Sequence, residues 1–188
     1  MDYYKRLVIR CLLLFVPPVV FYHIFKYPTI FGSYLLLKIL NINFVLTGST
    51  IIINDHYLTL SRPCIGDYAY LLLYMLIILT ANLGIVRRIY IFIVGSLTIL
   101  FVNILRIGLL CYLLFHFSFE SFQAVHMLFW DLLSSVIVVG IWFLLVWLFK
   151  IKAIPVYTDV KKIWKDIISY KSEHKKHKLR SKPKRRKK

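Results

Sequence analysis

Long apolar stretches separated by short polar breaks occupy the first four-fifths of the chain. Residues 7–25, 68–86, 89–115 and 127–149 each approach or exceed the about 20 apolar positions a helix needs to cross a bilayer. A fifth run, 30–46, is interrupted by Gly32, Lys38, Asn41 and Asn43, and either crosses, lies in the interface or packs inside the bundle. Between it and the next span the period changes. Ile51-Ile52-Ile53 and Tyr57-Leu58-Thr59-Leu60 are β-prone runs around the turn signal Asn54-Asp55-His56. A short hairpin over the membrane surface is expected there, stopped by Arg62-Pro63, with Cys64-Ile65-Gly66 opening the next helix. The predicted fold class is all-α: a polytopic transmembrane bundle of four or five spans with a short extracytoplasmic hairpin-like loop. No internal repeat and no dinucleotide- or phosphate-binding glycine loop is visible.

The pattern inverts after residue 149. Sixteen of the 25 Lys and Arg, but only three of the 8 acidic residues, fall between Lys150 and Lys188. The net charge of +17 is therefore mostly a tail property, and no nucleic-acid partner is expected. Three regions follow. Residues 1–149 are expected to form the transmembrane domain, which holds every candidate catalytic residue. Residues 150–170 interleave Ile154, Val160, Ile163, Trp164, Ile167 and Ile168 with Lys161, Lys162 and Lys165, and predict an amphipathic helix on the inner surface. Residues 171–188 predict a disordered polybasic cytoplasmic tail. Its expected partner is anionic lipid, worth about 1 kcal/mol per basic residue close to the surface.

Composition agrees with the pattern. A chain 60% hydrophobic with mean hydropathy +0.72 is not an ordinary soluble domain. The three cysteines, Cys11, Cys64 and Cys111, are too few and too scattered for a disulfide framework. The thiol, carboxylate and imidazole spacings match no standard metal-ligand pattern, and no cofactor is expected. Lys5, Arg6 and Arg10 precede an apolar run that lacks a small-x-small cleavage site, so this segment is expected to stay as an anchor.

Orientation follows from charge. Arg87-Arg88 sits between two firm spans and the basic tail follows the last, so both belong in the cytoplasm. Counting back, His126 stands at the outer end of span 127–149 and Cys64 at the outer end of span 68–86. Arg106 lies 18 residues beyond Arg88, roughly 27 Å up its helix and near the same surface. Lys5, Arg6 and Arg10 favour a cytoplasmic amino terminus, which requires 30–46 not to cross fully. If it crosses, the spans number five and the amino terminus is outside. The expected location is the cytoplasmic membrane, with the active site extracytoplasmic and the C-terminus cytoplasmic.

Three reactive groups thus share one leaflet. An arginine at a helix centre costs roughly 2.5–3.5 kcal/mol on insertion scales, so Arg106 needs a partner or a task. A thiol at a helix start is biased towards the nucleophilic thiolate by the backbone dipoles. A nearby imidazole takes the proton and returns it to a leaving amine, and a fixed guanidinium stabilises the oxyanion. That set performs acyl transfer through a thioester. Each residue also has a structural reading: Cys64 as an inert thiol, Arg106 as an ion-paired or snorkelling side chain, His126 as an interfacial aromatic beside Phe129 and Trp130. Joint placement favours chemistry, and Cys11 and Cys111, embedded in apolar runs, lack such company. His56 and His116 share the outer side and are alternative bases. Asp67, one turn beyond Cys64, is suited to orient Arg106 by an ion pair. Asn103, one turn before Arg106, is suited to bond a carbonyl or the guanidinium.

Cys64-Ile65-Gly66 before a span, Asn103-Ile104-Leu105-Arg106-Ile107 inside one and His126 opening another resemble the exosortase/archaeosortase family. The resemblance covers residues 51–140. It implies a membrane cysteine protease or transpeptidase with Cys64 as nucleophile, Arg106 as transition-state stabiliser and His126 as proton shuttle, and Gly66, Asn103 and Asp67 in support. The implied substrates are membrane-anchored proteins with a C-terminal sorting signal, cut on the outer side, with a lipid amine as an acceptor. Two other readings stand beside it: a non-enzymatic assembly or export subunit in which Arg106 is a structural pairing residue, and a membrane acyltransferase using His126 without Cys64.

Overall fold

The computed structural model describes residues 3–81, 83–129, 134–151, 160–165 and 167–169. A short helix, a bend and a long helix replace the two apolar runs expected at the start. Helix α1 covers Tyr3–Leu13 and α2 covers Pro18–Ile39. The division falls at Pro17-Pro18. Pro18 occupies the first turn of α2, where its missing N–H costs nothing, and Pro17 is held extended with φ −72° and ψ 145°. The two helices are bent by 61° across this break. Expected runs 7–25 and 30–46 therefore redistribute, and α2 carries the second half of one and the first half of the other.

A three-stranded antiparallel meander follows: β1 (Val45–Thr47), β2 (Thr50–Ile53) and β3 (His56–Thr59). The fold is mostly helical with this small sheet, rather than purely helical. Asn54 and Asp55 turn β2 into β3 with φ of 47° and 64°. Two successive left-handed residues make the twisted two-residue turn, a conformation Asn and Asp tolerate. His56 belongs to β3, opposite Ile53, rather than to the turn. Alternation along β2 buries Ile51 and Ile53, and the Asn54 side chain donates to the Phe115 carbonyl at 3.2 Å. The hairpin is thereby fastened to the far end of a long helix.

The one-turn α3 (Arg62–Ile65) leads through Gly66 into α4 (Asp67–Leu79). Helix α5 (Ile85–His116) is the long element, α6 (Phe119–Leu128) follows a two-residue break, and α7 spans Ser134–Leu148. Of the run expected to open at 127, Met127 and Leu128 end α6 and Ser134–Leu148 form α7, and His126 lies in the last turn of α6. Ser118 caps α6, its hydroxyl accepting from the Ser121 N–H at 3.3 Å.

Small residues fix how the helices run. A Cβ on Gly32 would stand 2.2 Å from Ile104, and one on Gly108 2.3 Å from Leu36, so α2 and α5 lie side by side in the same direction. A Cβ on Gly95 would stand 2.8 Å from both Leu73 and Leu145, where α4 and α7 flank α5. Both of those run opposite to α5. The start of α5 meets the end of α4 through Arg88, and the end of α7 through Arg87, which donates to the Phe149 carbonyl. In chain order, α2, α4, α5 and α7 alternate in direction.

Two buried clusters result. One gathers Leu37, Ile51, Ile53, Leu60, Ile107 and Phe122 beneath the hairpin and α6. The other gathers Phe21, Tyr70, Leu73, Ile77, Ile91 and Leu145 between α2, α4, α5 and α7. Helix α5 is long and apolar enough to cross a membrane, with mean hydropathy 2.2 over its most apolar stretch; the bent pair Leu7–Leu13 and Pro18–Ile39 meets the same criterion jointly. Asp67–Leu79 and Val136–Leu148 are apolar but shorter. Of the segment expected as an amphipathic helix, residues 160–165 and 167–169 are helical, and the Lys162 ammonium sits 3.4 Å from the Tyr3 ring centre. The 171–188 tail lies outside the described residues.

Candidate active site

Cys64 is the third residue of α3, a four-residue turn between Ser61 and Gly66. It does not head the following helix: α4 begins at Asp67, after Gly66 has reversed the chain at φ +80°. The dipole of a long helix is therefore not aimed at this thiol. What reaches it comes from α5. The Asn103 side-chain amide donates to the carbonyls of Cys64 at 2.9 Å and Ile65 at 3.2 Å, and Arg106 Nη2 donates to the Cys64 carbonyl at 3.2 Å. Asn103 and Arg106 are three residues apart and so share one face of α5. The Ser61 hydroxyl approaches Cys64 Sγ at 3.6 Å.

Asp67 does not orient Arg106. It is fully buried, and one carboxylate oxygen accepts from Arg62 Nε at 3.0 Å and Nη2 at 2.8 Å, while the other accepts from the Tyr68 N–H at 3.0 Å. The left-handed Gly66 folds the chain back so that residues five apart meet. Arg62, which reads in sequence as no more than the end of the hairpin, is therefore part of the site. The pair ties the first residue of the cysteine turn to the first residue of α4. Ser61 and Phe122 are further neighbours without a sequence signal.

His126 lies in the last turn of α6, its ring stacked on Phe122 with centroids 5.6 Å apart and planes 11° apart. Phe122 and the adjacent Val125 pack in the same apolar cluster as Cys64. Burial pushes the imidazole pKa down from its ordinary value, and the charge of Arg106 pushes it further the same way. His126 is thus within the electrostatic reach of Arg106. His56 stacks on Phe119 at 5.2 Å from the exposed face of β3, and His116 rests against Tyr112 and Phe115 at the exposed end of α5. Both sit at the same end of the molecule as Cys64.

Beside this cluster a cavity of about 190 Å³ opens between α4, α5 and α7. Val102, Ile137 and Val138 wall it, and Asp67, Asn103 and Arg106 form its polar side. No family model, curated protein or solved structure matches the chain. The chemistry must be read from the residues. Cys11 is exposed on α1 and Cys111 is buried in α5, while Cys64 is half-buried with a guanidinium against its own backbone. Such a group can hold an anion formed next to the thiol.

Proposed function

We propose that this chain is an integral membrane cysteine protease or transpeptidase of exosortase type that cleaves C-terminal sorting signals on the outer side of the membrane. The observation that carries this reading is that the Arg106 guanidinium donates to the carbonyl of Cys64 at 3.2 Å, while His126 stacks on Phe122 in the apolar cluster that packs against Cys64. In the proposed reaction, the Cys64 sulfur attacks the scissile carbonyl and His126 accepts the thiol proton. Arg106 hydrogen-bonds the oxyanion, and the tetrahedral intermediate collapses as His126 returns the proton to the leaving amine. The thioester is then resolved by water or a lipid amine. The neighbouring apolar cavity offers room for a side chain of the substrate.

In the same proposal α2, α4, α5 and α7 are four spans, consistent with their alternating direction. The hairpin, α3 and α6 are extracytoplasmic. Helix α1, Arg87, Arg88 and the basic segment lie inside, so a cytoplasmic amino terminus needs only the single crossing of α2. Cys64 meets Arg106, roughly 27 Å along α5 from Arg88, so in this proposal it lies near the outer border of a roughly 30 Å hydrocarbon core. Exposed Val160, Trp164, Ile167 and Ile168 support an interfacial helix before the polybasic tail, with anionic lipid as its partner.

A second reading, the non-enzymatic assembly or export subunit, draws on the same Arg106 contact, because donation to a backbone carbonyl is also what a structural arginine does. Co-expression with a membrane protein bearing a tripartite C-terminal signal separates the readings. Processing should fall at least 100-fold in Cys64→Ala, Arg106→Ala and His126→Ala. Undiminished processing in Cys64→Ala sinks the thiol mechanism, and loss in His126→Ala alone favours an acyltransferase using His126 without Cys64.

A further inference from the structure

The outward faces of α5 and α2 differ at the same depth, although Val20, Ile24, Phe31 and Leu35 are exposed on α2 as well. Ile89, Ile93, Leu97, Phe101, Leu105 and Leu109 are exposed on α5, an unbroken apolar line suited to lipid. On α2, His23 and Tyr27 are exposed and Lys26 is half-buried. With 3.6 residues per turn, His23, Lys26, Tyr27, Tyr34 and Lys38 fall within about a third of the helix circumference. Depth follows from the helix register. Phe21 meets Phe92 with ring centres 6.1 Å apart, and Gly32 meets Ile104, so Lys26 is level with residues 97–98 of α5. That is roughly 14 Å above Arg88 and roughly 13 Å below Arg106. The ammonium thus lies near the middle of the span.

Among the described residues only aromatic rings attend it there: the Tyr22 ring centre at 5.6 Å and the Tyr27 ring centre at 5.9 Å. Two such distant cation–π contacts do not offset the cost of an ammonium in hydrocarbon, and no described carboxylate pairs with it. The described helices of a second copy offer no free carboxylate at this depth. Helices α2, α5 and α7 contain no Asp or Glu, and Asp67 of α4 is sealed against Arg62. Charge complementarity therefore asks for a carboxylate from elsewhere at this depth.

We propose that the His23, Lys26 and Tyr27 face of α2 docks a transmembrane helix of another protein that carries an Asp or Glu near its middle. The ammonium meets the carboxylate, and the tyrosine hydroxyls and the imidazole complete the polar contact. This inference rests on the reading of α2 and α5 as membrane spans, not on the thiol chemistry. The test uses full-length protein in phosphatidylcholine vesicles with a synthetic 22-residue leucine helix bearing one central glutamate, followed by energy transfer. Matched helices with central glutamine or leucine are comparators. Association with the glutamate helix should be at least tenfold tighter than with either comparator. Lys26→Met should erase the difference, and Lys26→Arg should keep it. Equal association of all three helices, an unaffected Lys26→Met protein, or Lys26-dependent pairing of two copies without the probe would each overturn the proposal. Alkaline carbonate extraction of the same vesicles tests the membrane reading itself: release of the protein sinks both claims, whereas retention with equal transfer sinks only the docking face.

Discussion

Replacing Arg62 by Met should loosen the turn that carries Cys64, and the structure gives the size of the effect. The guanidinium donates twice to one oxygen of a fully buried carboxylate, at 3.0 and 2.8 Å, with the arginine side chain itself 47% exposed. Hydrogen bonds to charged groups contribute about 1.5–3 kcal/mol, and stripping the partner from a buried charge costs about 3–5 kcal/mol. Exposure of the arginine pulls the figure down through solvent screening. The Tyr68 N–H, which Asp67 keeps, pulls it down further. About 2 kcal/mol remains, which for a chain of this size lowers Tm by roughly 4–8 °C. The assay is thermal unfolding in detergent of Arg62→Met, Asp67→Asn and the double variant. Because the two groups act through one contact, the double variant should be less destabilised than the sum of the singles by about 1–2 kcal/mol. If Asp67 instead served Arg106, Arg62→Met would unfold like the wild type and the two losses would add. That outcome refutes the geometry argued for the cysteine turn.

Two more predictions concern the opposite end and the imidazole. Arg88 donates to the carbonyls of Ile77, Ile78, Thr80 and Leu83, closing the open end of α4, so Arg88→Met should destabilise the protein by about 3 kcal/mol, read as a Tm fall of roughly 6–12 °C. A Tm unchanged within 1 °C would contradict that role. For His126, burial and then Arg106 lower the folded pKa below the 6.5 of a free imidazole. Its neutral form therefore stabilises the fold above pH 6.5, and this contribution is lost as pH falls through the lowered value. Proton titration of His126 by NMR should show a midpoint below 6.5 that rises in Arg106→Leu. A midpoint at or above 6.5 contradicts the placement.

Periodicity reports faces, and so the long elements were legible where one face repeats. Residues 89–115 lie wholly within α5, and the β-prone runs around Asn54-Asp55 are β2 and β3. Breaks were legible only where a residue forces them. Pro17-Pro18 carries such a signal and explains why two apparent runs became one helix beside a bent lead-in. Residues 127–149 read as one apolar run broken only by Asp131, Ser134, Ser135 and Gly140, so hydropathy alone does not assign Met127 and Leu128 to α6 and Ser134–Leu148 to α7. The site was legible as residue types but not as pairings. Asn103 and Arg106 are related by helical spacing, and they do act together. Arg62 and Asp67 are joined by the left-handed Gly66, and a reversal at a single residue leaves no periodic trace.

A common device links the two ends of α5. At its start, Arg88 feeds N–H donors into the loose carbonyls that end α4. Towards its other end, Asn103 and Arg106 do the same for the turn that begins α4. In the proposed membrane reading, irregular backbone at this depth needs such donors, because water is not there to supply them. Arg106 therefore has a structural task whether or not it also meets an oxyanion. An Arg106→Ala variant that loses activity would lose it under either functional reading, and by itself it separates nothing. Cys64 is different. The carbonyl of Cys64 is held by α5, whereas among the described residues the one polar group that approaches its sulfur is the Ser61 hydroxyl at 3.6 Å. Exchanging sulfur for oxygen in Cys64→Ser should leave Tm within about 1 °C, since the clamped backbone is untouched. Processing should nevertheless fall at least 100-fold, because a hydroxyl is a far poorer nucleophile than a thiolate. A stable Cys64→Ser protein that still processes its partner at the wild-type rate would end the case for the thiol mechanism.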